Sequence, residues 1–152
     1  MAFNLRRFTM LTLTLVLCMG LVACDGSSKA KALTINTADM SIVSRQADRF
    51  LSAQERLPEL GNLVNQRNWV FTRNLIHGPM QEVGREMLYI NQHLLPQDRN
   101  EAGNLAESLK AALAELDEAA KLQDGERLDK AYSKVVSGFA KYLEVIPSEA
   151  IS

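Results

Sequence analysis

The most constraining feature of the sequence is a run of apolar residues between Asn68 and Leu95 that repeats with helical spacing. Its members are Trp69, Ile76, Met80, Val83, Met87, Ile90 and Leu94, and Leu88 and Leu95 are expected to widen the apolar face. Spacings of three, four and seven residues place these side chains on one face of a helix that packs at a shallow angle against neighbours. A helix of this length, about 42 Å, needs partner helices. The run therefore predicts one long helix in a bundle.

The tripeptide His77-Gly78-Pro79 interrupts this run. Pro79 cannot donate to the carbonyl of Leu75, and a proline inside a helix costs about 3 kcal/mol. Gly78 adds about 1 kcal/mol. Because the apolar positions stay in register on both sides, we expect the helix to bend here. A bend exposes backbone groups and shapes a surface, so His77, Gly78 and Pro79 are candidates for a partner contact.

Three further helices are predicted from the same spacing. Their apolar positions are Val43, Ala47, Phe50, Ala53, Leu57, Leu60 and Val64 in helix one; Ala102, Leu105, Leu109, Ala112, Leu116 and Ala119 in helix three; and Leu128, Ala131, Val135, Phe139, Tyr142 and Ile146 in helix four. Pro58 is expected to kink or divide helix one, and Gly125 suits a left-handed turn after helix three. Four amphipathic helices with short connections predict an all-α, four-helix up-down antiparallel bundle over residues 37–147, with a tail over residues 148–152.

Residues with capping preferences stand at the expected helix starts. Thr37 or Asp39 is expected to cap helix one, and Asn68 is expected to cap helix two. Asp98 and Glu101 form an Asp-x-x-Glu version of the capping box at the start of helix three.

The N-terminal residues predict an export signal rather than part of the bundle. Arg6 and Arg7 form a positive segment, residues 8–17 are mostly apolar, and residues 21–24 read Leu-Val-Ala-Cys. The apolar run is too short for a transmembrane helix. The ending resembles a bacterial lipobox, which predicts a cleaved signal peptide over residues 1–23, lipid on Cys24 and a tether over residues 24–36. An ordinary signal peptide that ends near a cysteine is the alternative.

Charge and thiol content exclude several classes of function. Removal of residues 1–23 takes away Cys18, Arg6 and Arg7, which leaves 15 basic against 18 acidic residues and a formal charge of −3. A mildly acidic domain without a basic patch is a poor nucleic-acid binder. Lipidation of Cys24 leaves no thiol for a disulfide or a metal. Membrane attachment would then depend on the acyl chains.

The sequence predicts no enzyme, because it offers no convergent set of reactive groups. His77 and His93 are 16 residues apart on one helix, about 24 Å along its axis and about 160° around it, so they cannot share a metal. His77 either caps backbone groups freed by Pro79 or joins Gln81 and Glu82 at a metal.

His93 and Trp69 each allow two interpretations. His93 either sits as a cation near a helix C-terminus or joins Asp98 at a metal. Trp69, the sole tryptophan, either closes one end of the core or anchors a partner.

Several segments together resemble the cyanobacterial PsbQ-like lipoprotein family. They are Asn68-Trp69-Val70, Ile76-His77-Gly78-Pro79-Met80, Leu94-Leu95-Pro96 and Asp117-Glu118-Ala119-Ala120-Lys121, together with the lipobox cysteine. The resemblance implies a non-catalytic extrinsic subunit, lipid-anchored on the lumenal side of the thylakoid membrane. Its partners would be the photosystem II core and other extrinsic lumenal subunits, and it would stabilise the oxygen-evolving complex or its assembly.

The resemblance also leaves a metal open, since members of this family have been associated with zinc. No cofactor is otherwise expected, and zinc at His77 or His93 is the one candidate. The alternative function is a periplasmic or lumenal metal-binding or carrier lipoprotein, in which the bundle core or His77 holds the ligand.

Overall fold

A computed structural model describes residues 34–151; the predicted signal peptide, Cys24 and most of the tether lie outside the described residues. The described part contains six α-helices and a C-terminal 3-10 turn, and no strand: α1 (Thr37–Gln54), α2 (Leu57–Asn65), α3 (Trp69–His77), α4 (Val83–His93), α5 (Arg99–Leu122), α6 (Gly125–Val145) and the turn Ser148–Ala150. The all-α class is therefore confirmed for these residues. Over this range, no helix combines the length and apolar character that crossing a bilayer requires.

Pro58 divides the first predicted helix, as one of the two sequence interpretations expected. α1 ends at Gln54, and Pro58 lies in the first turn of α2. A proline there costs no hydrogen bond, because the first backbone N–H groups of a helix have no intrahelical acceptor. The buried positions continue from Ala53 to Leu57 and Leu60 across the break.

The second predicted helix is also two helices, so the expectation of a single bent helix is wrong. α3 ends at His77, and Gly78 takes φ −102° and ψ −103°, which leaves the helical conformation. The next residue, Pro79, has no N–H for the ladder. The turn is closed instead by the N–H of Met80, which donates to the carbonyl of Leu75 at 3.2 Å. α4 then begins at Val83 with its apolar face still buried.

The buried core follows the predicted apolar positions across both breaks. Met80, Val83, Met87, Ile90 and Leu94 are all buried. Leu88 is the exception, because its side chain is 54% exposed on the outer face of α4. The expectation that Leu88 widens the apolar face is therefore wrong.

The helices pack against both sequence neighbours and helices distant in the chain. α5 packs along α6, α1 along α4, and α5 also contacts both α3 and α4. α2 contacts α3 and α6, and the C-terminal 3-10 turn packs on α1. Each long segment therefore buries its apolar face against at least two neighbours.

Two of the predicted helix starts differ from the structure. Asn36, not Thr37 or Asp39, caps α1, and its side chain accepts from the N–H of Asp39 at 2.9 Å. Asp98 precedes α5 but makes no capping hydrogen bond, so the expected capping box is absent.

The turn after α5 places its left-handed residue two positions before Gly125. Gln123 takes φ 55° there, and Asp124 caps α6, in which Gly125 is the first residue. The expectation for Gly125 is therefore wrong. Asn68 caps α3 as expected, accepting from the N–H of Phe71 at 3.4 Å.

Tyr142 joins three helices at the centre of the core. The ring centroid of Phe50, on α1, lies 5.0 Å from that of Tyr142 and 5.1 Å from that of Phe139. The Tyr142 hydroxyl reaches α4, 3.0 Å from the backbone oxygen of Met87 and 2.7 Å from Oδ1 of Asn91. Burial raises the pKa of the Tyr142 phenol, so the group stays protonated and can donate.

Gly78→Ala tests the turn between α3 and α4. A Cβ at this position would lie 2.9 Å from the backbone oxygen of Asn74, which cannot move without disturbing the end of α3. We expect the free energy of unfolding to fall by about 1–3 kcal/mol, measured by urea denaturation. Gly103→Ala is the control, because a Cβ there meets nothing within 4 Å; it should stabilise α5 by about 0.5–1 kcal/mol. Equal effects of the two variants would contradict the role given to Gly78.

Tyr142→Phe tests the polar link from α6 to α4. The variant keeps the ring but leaves the partly buried Asn91 side chain without its donor, which should cost about 1 kcal/mol of unfolding free energy. Tyr89→Phe serves as the control, since Tyr89 is 41% exposed on α4. An unchanged urea midpoint for Tyr142→Phe would show that the hydroxyl contributes nothing.

Candidate functional site

Three polar side chains from α3 and α5 form a hydrogen-bonded group, which we call the α3–α5 cluster: Arg73, His77 and Asp117. Arg73 and His77 are four residues apart, so they lie on one face of α3. Nε of Arg73 donates to Oδ1 of Asp117 at 2.9 Å, and Nε2 of His77 lies 2.8 Å from the same oxygen. One carboxylate on α5 thus holds two side chains of α3.

The Asp117 carboxylate is ionised in this arrangement. Partial burial by itself raises the pKa of Asp117, but hydrogen bonds from Arg73 and His77 outweigh it, and the pKa lies below its ordinary value of 3.8. An ionised carboxylate only accepts hydrogen bonds, so Nε2 of His77 carries the proton of the shared bond. The His77 side chain is 58% exposed and turns its remaining ring atoms to solvent.

A small groove beside the cluster combines these charges with exposed apolar surface. It has a volume of about 270 Å³ and is lined by Trp69, Val70, Arg73, Asn74, His77, Ala120, Lys121 and Gln123. Val70 is 66% exposed, and Trp69 is half-buried. Apolar side chains beside a small number of fixed charges are typical of a protein contact surface.

The Trp69 side chain packs against the hydrophobic core, as a residue that closes one end of the core does. The same side chain also lines the groove beside the α3–α5 cluster. The second interpretation of Trp69, contact with a partner, stays a prediction.

Pro79 lies on a different surface from Trp69 and His77. It borders a second groove, of about 400 Å³, between α1 and α4. The carboxylate of Glu86 lies buried in this lining, with Oε1 at 3.7 Å from Arg49 and 3.3 Å from Arg85. Gly78 is exposed between the two surfaces. The four residues predicted for a partner contact are thus divided between two faces.

Both histidines are held by carboxylates that the sequence analysis did not assign to them. His77 pairs with Asp117 and does not cap backbone groups near Pro79. Nδ1 of His93 lies 2.6 Å from Oδ1 of Asp39 and links the end of α4 to the start of α1. The hydrogen bond from His93 lowers the pKa of Asp39. His93 lies in the last turn of α4, as one interpretation placed it, and its carboxylate partner is Asp39 and not Asp98.

The histidines are the natural starting points for a metal site. Within residues 34–151, no three His, Cys, Asp or Glu side chains lie close enough together to hold an ion. Each histidine has one carboxylate partner, whereas a protein zinc site normally takes three or four protein ligands. The described residues alone therefore do not supply a full ligand set.

Sequence reasoning missed Arg73 and Asp117 as members of the site. Arg73 could have been found, because it lies one helical turn before His77 on a predicted helix. Asp117 is 40 residues from His77. Pairing them requires the register between α3 and α5, which periodicity within a helix does not supply.

Comparison with known proteins adds a family and a relative. The sequence matches the family model of PsbQ, oxygen evolving enhancer protein 3, over residues 3–147. It is 35% identical over 88 residues to CyanoQ from Synechocystis sp.. The alignment covers 58% of this chain and 59% of CyanoQ, so the chain spans about three fifths of the length of that relative.

Asp117→Asn tests the α3–α5 cluster through stability and its pH dependence. Loss of the shared carboxylate should lower the free energy of unfolding at pH 7 by about 1 kcal/mol. Because the pKa of Asp117 is lowered in the folded state, this contribution is present above pH 3.8 and is lost as the pH falls through the folded-state pKa. Urea denaturation of wild type and variant at several pH values measures the difference.

Glu107→Gln is the matched control for Asp117→Asn. Glu107 pairs with Lys110 on the same helix, and its side chain is 74% exposed. Removal of such a surface pair should change the unfolding free energy by less than about 0.5 kcal/mol. A difference between wild type and Asp117→Asn that persists unchanged into acid would refute the assignment to the carboxylate.

Proposed function

The chain belongs to the PsbQ family, and we propose that it is a non-catalytic extrinsic subunit of photosystem II that docks on its lumenal face. The match to the family over residues 3–147 is the observation that carries this proposal. The similarity to CyanoQ also supports it. In this role the protein stabilises the oxygen-evolving complex or its assembly.

We propose a four-helix up-down arrangement for the domain that docks. In it α1 with α2 forms the first rod, α3 with α4 the second, and α5 and α6 the third and fourth. The contacts of α1 with α4, of α2 with α3, and of α5 with α6 support this arrangement. Short connections between successive helices also favour antiparallel neighbours.

The proposed attachment to the membrane is lipid on Cys24, after cleavage of residues 1–23. The lipobox-like residues 21–24 support this part of the proposal. The anchor would place the protein on the lumenal side of the thylakoid membrane. It would also restrict the domain to a thin layer near its partners and so raise its effective concentration there.

Stabilisation of the complex then follows from mass action. A subunit that binds the assembled complex but not its separated parts shifts the equilibrium toward assembly. No bond needs to be made or broken by this chain. The proposed role needs surfaces of fixed shape and charge, and the α3–α5 cluster with Trp69 and the groove at Pro79 are the candidate contacts.

Co-purification from thylakoid membranes tests the proposed function. A C-terminal tag on the full chain should recover the photosystem II core and other extrinsic subunits after gentle solubilisation. Cys24→Ala should reduce the amount of protein held on the membrane, because the acyl chains would be absent. Cys18→Ala is the control, since Cys18 lies in the predicted signal peptide; it should leave retention unchanged.

Recovery of the tagged chain without photosystem II subunits would contradict docking. Equal retention of wild type and Cys24→Ala on the membrane would contradict the lipid anchor alone. The two parts of the proposal are therefore tested separately by one preparation.

A further inference from the structure

A groove lies between the start of α1 and the end of α6. Its volume is about 1040 Å³, and its apolar lining comes mainly from Ile35, Met40, Leu95, Val145 and Ile146. The rings of Phe50, Phe139 and Tyr142 stand between α1 and α6 deeper in the core. No aromatic ring lines the groove toward the end of α6, and Ser148 and Glu149 of the C-terminal 3-10 turn form part of its lining. We call this space the α1–α6 groove.

Carboxylates without ionic partners border the α1–α6 groove. Asp98, Glu101 and Glu144 all line it, and none of the three side chains has an ion pair or a hydrogen bond with another described residue. Asp98 and Glu101 are the two members of the capping box that the sequence predicts and the structure does not form. Their charges are therefore available to a ligand instead of to the helix end.

Nearby cations form no ion pair with these three carboxylates within the described residues. Nε of Arg99 donates to the backbone oxygen of Leu94 at 2.9 Å. Lys141 lines a neighbouring depression with Glu101 and Glu144, but no ion pair joins it to either carboxylate within the described residues. By contrast, Asp117 and Asp129 are each paired with an arginine at 2.9 Å or less. The groove is thus apolar inside and acidic at its border.

We infer that the α1–α6 groove binds a basic segment of a partner protein, with apolar side chains against its floor and Lys or Arg side chains beside Asp98, Glu101 and Glu144. Charge complementarity selects this occupant, since an acidic border repels anionic lipid headgroups and a second acidic surface. The volume accommodates several side chains. The inference rests on the proposed function, which supplies the partner as a subunit of photosystem II.

The position of Thr34 indicates which segment of a partner protein could enter the groove. Thr34 is the first described residue and lines the groove. The groove therefore lies at the end of the helical domain where the predicted tether joins it. With lipid on Cys24, a lumenal segment close to the membrane surface is the partner segment that this groove would meet first.

A charge-change variant and a matched control test the inference in the full tagged chain. The groove variant combines Glu101→Gln with Glu144→Lys, and the control combines Glu107→Gln with Glu55→Lys. Both change the formal charge by +3. In each pair, one substitution removes a negative charge on α5. The other reverses a charge from negative to positive at or near a helix C-terminus, where a cation is favourable. Neither control residue lines the groove.

The groove variant should recover about tenfold less photosystem II core per tagged chain than wild type, with a weaker dependence of recovery on salt. The control should recover nearly as much core as wild type. The urea midpoints of both purified variants should lie close to that of wild type, so that a loss of docking can be distinguished from a loss of folding. A zero-length carbodiimide cross-link from Glu101 or Glu144 to a partner lysine should form in wild type, and the groove variant should lose the cross-link at these two positions.

Other outcomes would overturn the inference. If wild type recovers the core and the groove variant does so equally, the groove is not the contact, and the proposed function stands. If the control loses as much as the groove variant, net charge and not this groove determines recovery. If a second, differently tagged copy of this chain takes the cross-link, the occupant is the chain itself. If wild type recovers no photosystem II subunit, the inference and the proposed function both fail.

Discussion

The contact of Tyr142 with Phe50 and α4 sets the geometry on which the rest of the structure depends. The ring fills the space between α1 and α6, and the hydroxyl holds α4 through Met87 and Asn91. Because large rings separate α1 from α6, their backbones cannot approach closely along this part of the core. Beyond Tyr142, Val145 and Ile146 line the α1–α6 groove, and its lining includes no aromatic ring.

The two breaks in the first half of the chain act on the surface more than on the core. Buried positions continue through Pro58 and through Gly78-Pro79, so little apolar contact is lost at either break. Between α3 and α4 the chain leaves the helix for five residues, which exposes Gly78 and Pro79 while Met80 stays buried. Pro79 then borders the groove between α1 and α4. A sequence that accepts the helix-breaking cost there gains a shaped surface.

Most of the core could be predicted from the sequence, whereas most of the polar contacts could not. Apolar spacing within a helix identified Val43, Met87 and Phe139 as core, because burial needs only the periodicity of one segment. Capping at Asp98 and the partners of His77 and His93 were predicted from residues nearby in sequence. Asp98 makes no capping hydrogen bond, and the histidines pair with Asp117 and Asp39 instead. These aspartates are distant in sequence from their histidines, so each pairing depends on how two helices are aligned. Leu88 failed for a related reason, since the outer face of α4 has no partner within the described residues.

The distribution of paired and unpaired charges distinguishes parts of the surface that stabilise the fold from parts available to a partner. Arg67 with Asp129 and Arg73 with Asp117 join helices that are distant in sequence, so their charges are already neutralised by the fold. Unpaired carboxylates in a groove have the opposite character, because no ion pair among the described residues neutralises them. Retaining Glu144 near the C-terminus of α6, where the helix dipole disfavours an anion, carries a small cost. A partner that brings cations to this groove removes this cost, whereas an uncharged partner does not.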